Sequence, residues 1–196
     1  MRARAAVMAM VLLWPGSASA EWQLRPFVGF TFGGATTFVD LDRAVGDLNP
    51  AFGASGVLLG EIVGVEGDLG FAPGFFRSKP NSLVLHSGVT TLTGNFVVAL
   101  PRRLAQYSLR PYFVGGGGLM HVTLETTSAG VLRVRRTLPA VDIGGGVTGF
   151  LTDLVGVNWD VRYFRSVGES SELRGVSFGA EQLSFWRATM AVAFRY

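Results

Sequence analysis

The sequence has no cysteine, one lysine (Lys79) and two histidines, His86 and His121. Without cysteine there is no disulfide framework to hold a small exported domain together. Two histidines far apart and no thiolate leave a transition-metal site unsupported, so neither metal nor cofactor is expected. Charge is scarce as well: 16% of residues are charged and 48% are hydrophobic, where an ordinary soluble domain carries ~25% charge. Long apolar runs are also missing beyond the N-terminus; no stretch reaches the ~18 residues that a spanning helix needs.

The N-terminus reads as a cleavable export signal. Arg2 and Arg4 give a positive start, Ala5 to Trp14 an apolar run, Pro15-Gly16 a helix break, and Ala18-Ser19-Ala20 small residues before Glu21. The run is too short for a membrane anchor, which needs ~20 residues. Residues 1–20 are therefore expected to be removed, and 21–196 to form one domain. Removal takes two of the seventeen basic residues and no acidic one, leaving 15 against 14. The basic balance thus reflects arginine chemistry, and no basic cluster interleaved with aromatics suggests nucleic acid.

A chain this apolar, without spanning helices, must be a membrane β-barrel or a deeply buried soluble β-protein, and the periodicity decides between them. Val155, Val157, Trp159, Val161 and Tyr163 alternate with Gly156, Asn158, Asp160 and Arg162; a period of two over this length is a strand with one apolar and one polar face. Val63 to Pro73 repeats the pattern, with Glu66, Asp68, Gly70 and Ala72 on the polar side. So does the C-terminus, where Trp186, Ala188, Met190, Val192, Phe194 and Tyr196 oppose Arg187, Thr189, Ala191, Ala193 and Arg195. Weaker alternation marks Trp22 to Phe32, Thr91 to Leu100 and Val141 to Leu151. Phe52 to Leu59 and Leu109 to Leu124 read as strands of unsettled facing, because glycines interrupt both.

The expected connectors run long, short, long, short, long, short, long: Gly34 to Pro50, Gly60 to Ile62, Gly74 to His86, Pro101 to Gln106, Thr126 to Arg136, Thr152-Asp153 and Ser166 to Gln182. Tight turns on one rim and loops on the other are what an up-and-down barrel requires. The expectation is an all-β fold, a closed antiparallel up-and-down transmembrane β-barrel of about eight strands, or ten if the first or last long loop hides a hairpin.

The contents of the two faces say which one meets lipid. The apolar faces carry large aromatics near strand ends, Trp22, Phe32, Trp159, Tyr163, Trp186, Phe194 and Tyr196, as interfacial girdles do. The opposite faces are small and sparsely charged, which suits the narrow interior of an eight-stranded barrel. There Glu66, Asp68, Asp142 and Asp160 are expected to pair with Arg25, Arg162 and Arg187, filling the lumen or forming a gate.

Two motifs carry a resemblance. Arg110-Pro-Tyr-Phe-Val-Gly-Gly-Gly-Gly-Leu119 resembles the Pro-Tyr-x-x-Gly-x-Gly strand of the small outer-membrane barrels, the relatives of the OmpA transmembrane domain and of the OmpX/Ail proteins. The alternation from Trp186 to Tyr196 is similar to their last strand, although the family most often ends in Phe and this chain ends in Tyr196. The resemblance spans Glu21 to Tyr196 and implies a place in an outer membrane, contact with its lipid, and delivery by a barrel insertion machinery that reads the C-terminal strand. It implies a non-enzymatic protein with a structural or surface-interaction role, whose long outer loops meet a ligand the sequence does not name.

Competing readings stay open. His86-Ser87 is similar to the adjacent pair of outer-membrane lipid A deacylases, where serine attacks and histidine acts as base; no further deacylase motif accompanies it. A soluble periplasmic barrel with an apolar ligand would turn the apolar faces inward. Asp40, Asp42 and Asp47 form no EF-hand pattern and read as a solvated loop. Gly115 to Gly118 lacks the Lys-Ser/Thr of a phosphate loop, and glycine there lets a strand bend and pack closely.

Overall fold

The structure is a computed structural model and describes residues 20–36, 48–75, 84–104, 109–126, 132–167, 172–173, 176–177 and 183–196. Residues 1–19 of the expected export signal and Asp40, Asp42 and Asp47 lie outside these. Ten strands follow in order: β1 Glu21–Thr36, β2 Asn49–Leu59, β3 Val63–Pro73, β4 Val84–Ala99, β5 Leu109–Thr126, β6 Leu132–Phe150, β7 Val155–Ser166, β8 Glu172–Leu173, β9 Val176–Ser177 and β10 Leu183–Arg195. Eight of them close into an antiparallel barrel: β1 to β7 pair in sequence order, β7 pairs with β10 across the β8–β9 segment, and β10 pairs with β1. The last long loop does contain a hairpin, β8–β9, but it pairs only with itself, so the barrel has eight strands and not ten.

The termini and the tight turns share one rim, here the turn end. Gly60 N–H donates to Val63 O (2.9 Å) across the β2–β3 turn. Thr152 Oγ1 accepts from the Leu154 and Val155 amides at 3.3 and 3.0 Å, capping the β6–β7 turn. The β4–β5 connection carries a short 3-10 turn, Arg102–Leu104. Tyr196 N–H donates to Trp22 O (2.9 Å) and fastens the last residue to the first strand.

Two local irregularities shape β1. Pro26 has no N–H, and the β1–β10 ladder skips it between Leu24↔Phe194 and Phe27↔Ala191. Higher up, Gly33 adopts φ +59°, a conformation open to glycine, and the register shifts there between Phe32 and Ala35.

The wall is uneven. β2 and β3 are 11 residues long, whereas β5 and β6 have 18 and 19, so β4 to β6 rise above their neighbours at the loop end. β4 and β6 start at Val84 and Leu132, inside what the sequence suggested were loops. The run Arg133 to Arg136 lies within the expected connector Thr126 to Arg136, yet it pairs in full with β5.

Burial is inverted relative to a soluble protein. Phe113, Phe96 and Ile143 are 77%, 74% and 65% exposed, while Glu66 and Arg162 inside the barrel are 4% and 2% exposed. β5 places Arg110, Tyr112, Val114, Met120 and Val122 inward, and β2 places Asn49, Ala51, Ser55, Val57 and Leu59 inward, which settles the facing of both strands.

Candidate functional site

The lumen is organised in layers. Its middle is an ion-pair network centred on Arg162. The guanidinium pairs with Glu66 through both nitrogens, one bond being 3.1 Å, and with Asp160 at 2.6 and 3.1 Å. Asp142 and Asp68 stand 3.8 and 4.0 Å away. In the amide orientation that satisfies both its ends, Asn95 donates to Asp142 (2.8 Å) and accepts from Arg162 (3.1 Å). Arg187 makes a two-pronged pair with Asp68 at 2.9 and 2.8 Å, a geometry that matches guanidinium to carboxylate. Its guanidinium carbon lies between the rings of Phe27 and Phe164, 4.6 and 4.7 Å from their centroids, so the charge also meets two aromatic faces.

Six of the seven charged residues singled out from sequence thus meet in one network. Arg25 differs. It bonds Gln23 Oε1 at 2.9 and 2.5 Å and lies over the Tyr112 ring at 5.2 Å, and among the described residues no carboxylate is within ion-pair distance of it. The cause is its place on β1, lower than the acids; a ladder Glu21–Gln23–Arg25 climbs the inner face there. Tyr112 joins this layer to the network: its hydroxyl donates to Asp160 (2.7 Å) and accepts from Asn158 (3.0 Å).

Glycine makes room for the guanidinium groups. A Cβ on Gly144 would sit 2.8 Å from Arg162 Cγ, and one on Gly70 would collide with Arg187 Nη1. The polar faces therefore combine charge and glycine because a side chain as long as arginine must cross a narrow lumen.

Above the ion pairs lies an apolar layer that the sequence did not reveal. Phe75, Phe164 and Phe185 pack with Leu183, Met120, Val122, Val89 and the alanines 51, 72 and 140. Phe185 stacks on Phe164 (centroids 5.2 Å apart) and meets Phe75 edge-on (5.0 Å). The available signal was the aromatic doublets Tyr163-Phe164 and Phe185-Trp186: consecutive residues face opposite ways, so one ring of each doublet must point inward.

At the turn end, Arg110 donates to the carbonyls of Leu100 (2.9 Å), Gly60 (3.1 Å) and Glu61 (2.6 Å). It ties two turns together. Glu21 pairs with Arg102 and stands 3.6 Å from Arg195, flanking a cleft of about 420 Å³.

On the outer wall the aromatics fall at two levels. Trp22, Phe194 and Tyr196 gather at the turn end, by the joined termini. Phe32, Trp186 and Tyr163 cluster toward the loop end, with centroids 6.5 and 5.1 Å apart in successive pairs. Trp159 stands between these levels, in register with Met190 and Val147.

His86 and Ser87 lie at the upper end of β4, in backbone register with Glu125 and Leu124; the His86 side chain lies outside the described residues. His121 bonds Thr137 Oγ1 at 2.9 Å. Among the described residues no group of three His, Cys, Asp or Glu side chains is placed to hold a metal.

A closed antiparallel barrel with eight strands, apolar outside and ion-paired within, defines the class of small outer-membrane barrel folds. No family model and no curated protein matches the chain. Among solved structures it is similar to Neisserial surface protein A (TM-score 0.62, 11% identity, 90% of this chain and 97% of that one). It is also similar to the N-terminal barrel domain of Pseudomonas aeruginosa OprF (0.52, 14%, 90% and 97%). A third is Ail, the attachment invasion locus protein of Yersinia pestis (0.50, 12%, 89% and 98%). The likeness is one of fold, and it agrees with the resemblance read from the Arg110–Leu119 and Trp186–Tyr196 segments.

Proposed function

We propose that the chain is an integral outer-membrane protein whose barrel is a non-conducting anchor for its outer loops, with a structural or surface-interaction role and no catalysis. The inverted burial carries the reading. Water would not tolerate a continuous wall of exposed Phe, Val, Leu and Ile around a charged interior, whereas lipid favours it. The aromatics at the turn end and toward the loop end act as interfacial girdles. The export signal delivers the chain, and the strand ending at Phe194 and Tyr196 engages the insertion machinery.

The lumen residues Arg25, Glu66, Asp68, Asp142, Asp160, Arg162 and Arg187 have a structural role here. They bind the wall across its interior, and the Phe75–Phe164–Phe185 layer lies over them on the loop side. Function then falls to the four outer connections, where binding residues concentrate in rigid scaffolds. Two proteins of the same fold, one named a surface protein and one an attachment protein, support this direction.

The test is to fold residues 21–196 into detergent and then lipid vesicles. A band that shifts on boiling, blue-shifted tryptophan emission and no steady conductance across a planar bilayer are expected. A water-soluble monomer that needs no detergent would overturn the membrane reading, and a steady ion current would overturn the closed lumen.

A further inference from the structure

The cleft of about 420 Å³ at the turn end has the size that takes a small ligand. Three guanidinium groups line it: Arg102 on the β4–β5 connection, Arg110 at the start of β5 and Arg195 at the end of β10. Two carboxylates, Glu21 and Asp153, stand against them. These residues are scattered along the chain, and closure of the ring, which seats β10 beside β1, brings them to one rim.

Two of the guanidinium groups are fixed by neutral partners and keep donors unused. Arg110 is 8% exposed and bonds the carbonyls of Leu100, Gly60 and Glu61 through Nε and Nη2; Nη1 takes no part in these bonds. Arg195 donates through Nε to the Asp153 carbonyl at 2.6 Å and lies over the Phe150 ring at 4.3 Å. Its Nη1 is 3.6 Å from Glu21 and its Nη2 is 3.8 Å from Asp153, near enough for attraction but too far for a hydrogen bond. Thr152 Oγ1 accepts two amides, which leaves its proton to donate.

The carboxylates do not meet this demand. Glu21 is engaged by Gln23 (2.8 Å) and by Arg102, and the Asp153 carboxylate is fully exposed. Deeper on the same inner face Arg25 adds a further guanidinium, bonded to Gln23 alone, with Nη1 buried and unbonded. Arg103 and Glu61, both exposed and outside the lining, offset each other. Preformed donors without an acceptor, under a surplus of positive charge, match an oxyanion. Phe150 and Leu151 add an apolar wall that suits an organic anion better than a bare inorganic one.

We propose that this cleft binds one small organic oxyanion, a carboxylate or a phosphate ester, between Arg110 and Arg195, with the Thr152 hydroxyl as a third donor. The proposal rests on the membrane reading above only for the compartment it serves, the periplasm, which the short turns of an outer-membrane barrel face.

Isothermal titration calorimetry of the chain folded in an uncharged detergent and phosphate-free buffer tests it, with glycerol 3-phosphate and succinate as probes and glycerol as the uncharged control. One equivalent of oxyanion is expected to bind, more weakly as sodium chloride is raised, and glycerol is expected not to bind. Whichever anion binds more tightly tells whether the site selects phosphate or carboxylate. Arg195→Gln should weaken binding about tenfold, the scale of one charge-assisted hydrogen bond. Glu21→Gln should strengthen it about threefold, because it removes the carboxylate that competes for the same cations; damage to the fold cannot produce a gain. Arg103→Gln, outside the lining, should change nothing. The heat-shifted gel band confirms that each variant is folded. No binding by the wild type, binding of glycerol as tight as that of the anions, or unchanged affinity in Arg195→Gln or Glu21→Gln overturns the proposal. A chain that enters vesicles but binds no oxyanion refutes this site alone; one that binds it yet never enters vesicles keeps the site and refutes the membrane reading.

Discussion

Replacing Arg162 by alanine should be among the most damaging single changes in the barrel. Its guanidinium makes four hydrogen bonds to Glu66 and Asp160 and is the nearest cation to Asp142. Alanine leaves four buried carboxylates facing one another, with Arg187 already committed to Asp68. Removing one partner of a buried ion pair costs ~3–5 kcal/mol, because the remaining charge stays desolvated and unpaired. The assay is reversible urea unfolding of the vesicle-inserted chain, followed by tryptophan emission. Glu66→Gln in the same background should recover part of the loss, with a coupling of ~1–3 kcal/mol between the two sites. A loss below ~1 kcal/mol for Arg162→Ala would refute the reasoning. It would mean that the lumen is hydrated and that these pairs behave as they do on a surface.

Other outcomes follow from other layers. Phe164→Ala should cost ~3–5 kcal/mol in the same titration, since it removes the ring that stacks on Phe185 and covers Arg187. Val161→Arg, on the outer wall midway along β7, should cost ~2–4 kcal/mol in vesicles if that wall faces lipid; no change in the unfolding midpoint would argue for water outside. Gly144→Val should prevent recovery of a heat-shifted band on refolding, because its side chain meets Arg162 Cγ. Asp153→Asn should leave the unfolding transition where it is, since the Asp153 carboxylate is fully exposed and 3.8 Å from Arg195, and the bond from Arg195 goes to the Asp153 backbone carbonyl, which asparagine keeps.

Much of the outer wall could be read from β3, from β7 up to Tyr163 and from β10 beyond Trp186, where apolar residues recur at every second position with Gly67 as the interruption, and small, polar or charged ones fill the gaps. β2 and β5 resisted because Gly53, Gly56 and Gly115 to Gly118 carry no side chain on either parity, and a missing side chain has no preferred face. The start of β6 misled for another reason: Arg133, Arg135 and Arg136 make a charged run, so composition there resembles a loop although the backbone is fully paired. Inside, the identity of the charged residues was apparent but not their partners. Glu66 and Arg162 are 96 residues apart, and their meeting depends on the stagger of the strands around the ring, which no local pattern encodes. Phe27 and Phe164 were missed because an aromatic on the polar parity contradicts the rule that defined that face.

The pairing of β1 with β10 has a consequence for biogenesis. Seven of the eight strand pairs join neighbours in sequence, and each can form as a hairpin soon after its residues are available. The eighth joins Gln23 to Arg195 and needs the entire chain. Until that last seam forms, β1 and β10 each present a free edge of amides and carbonyls, the kind of surface that recruits other chains, and inside lipid those groups would have no partner. Completion of the ring is thus a late, all-or-none step set by the longest sequence separation in the fold. An assembly partner that shields those two edges would act on the molecule at its most aggregation-prone moment.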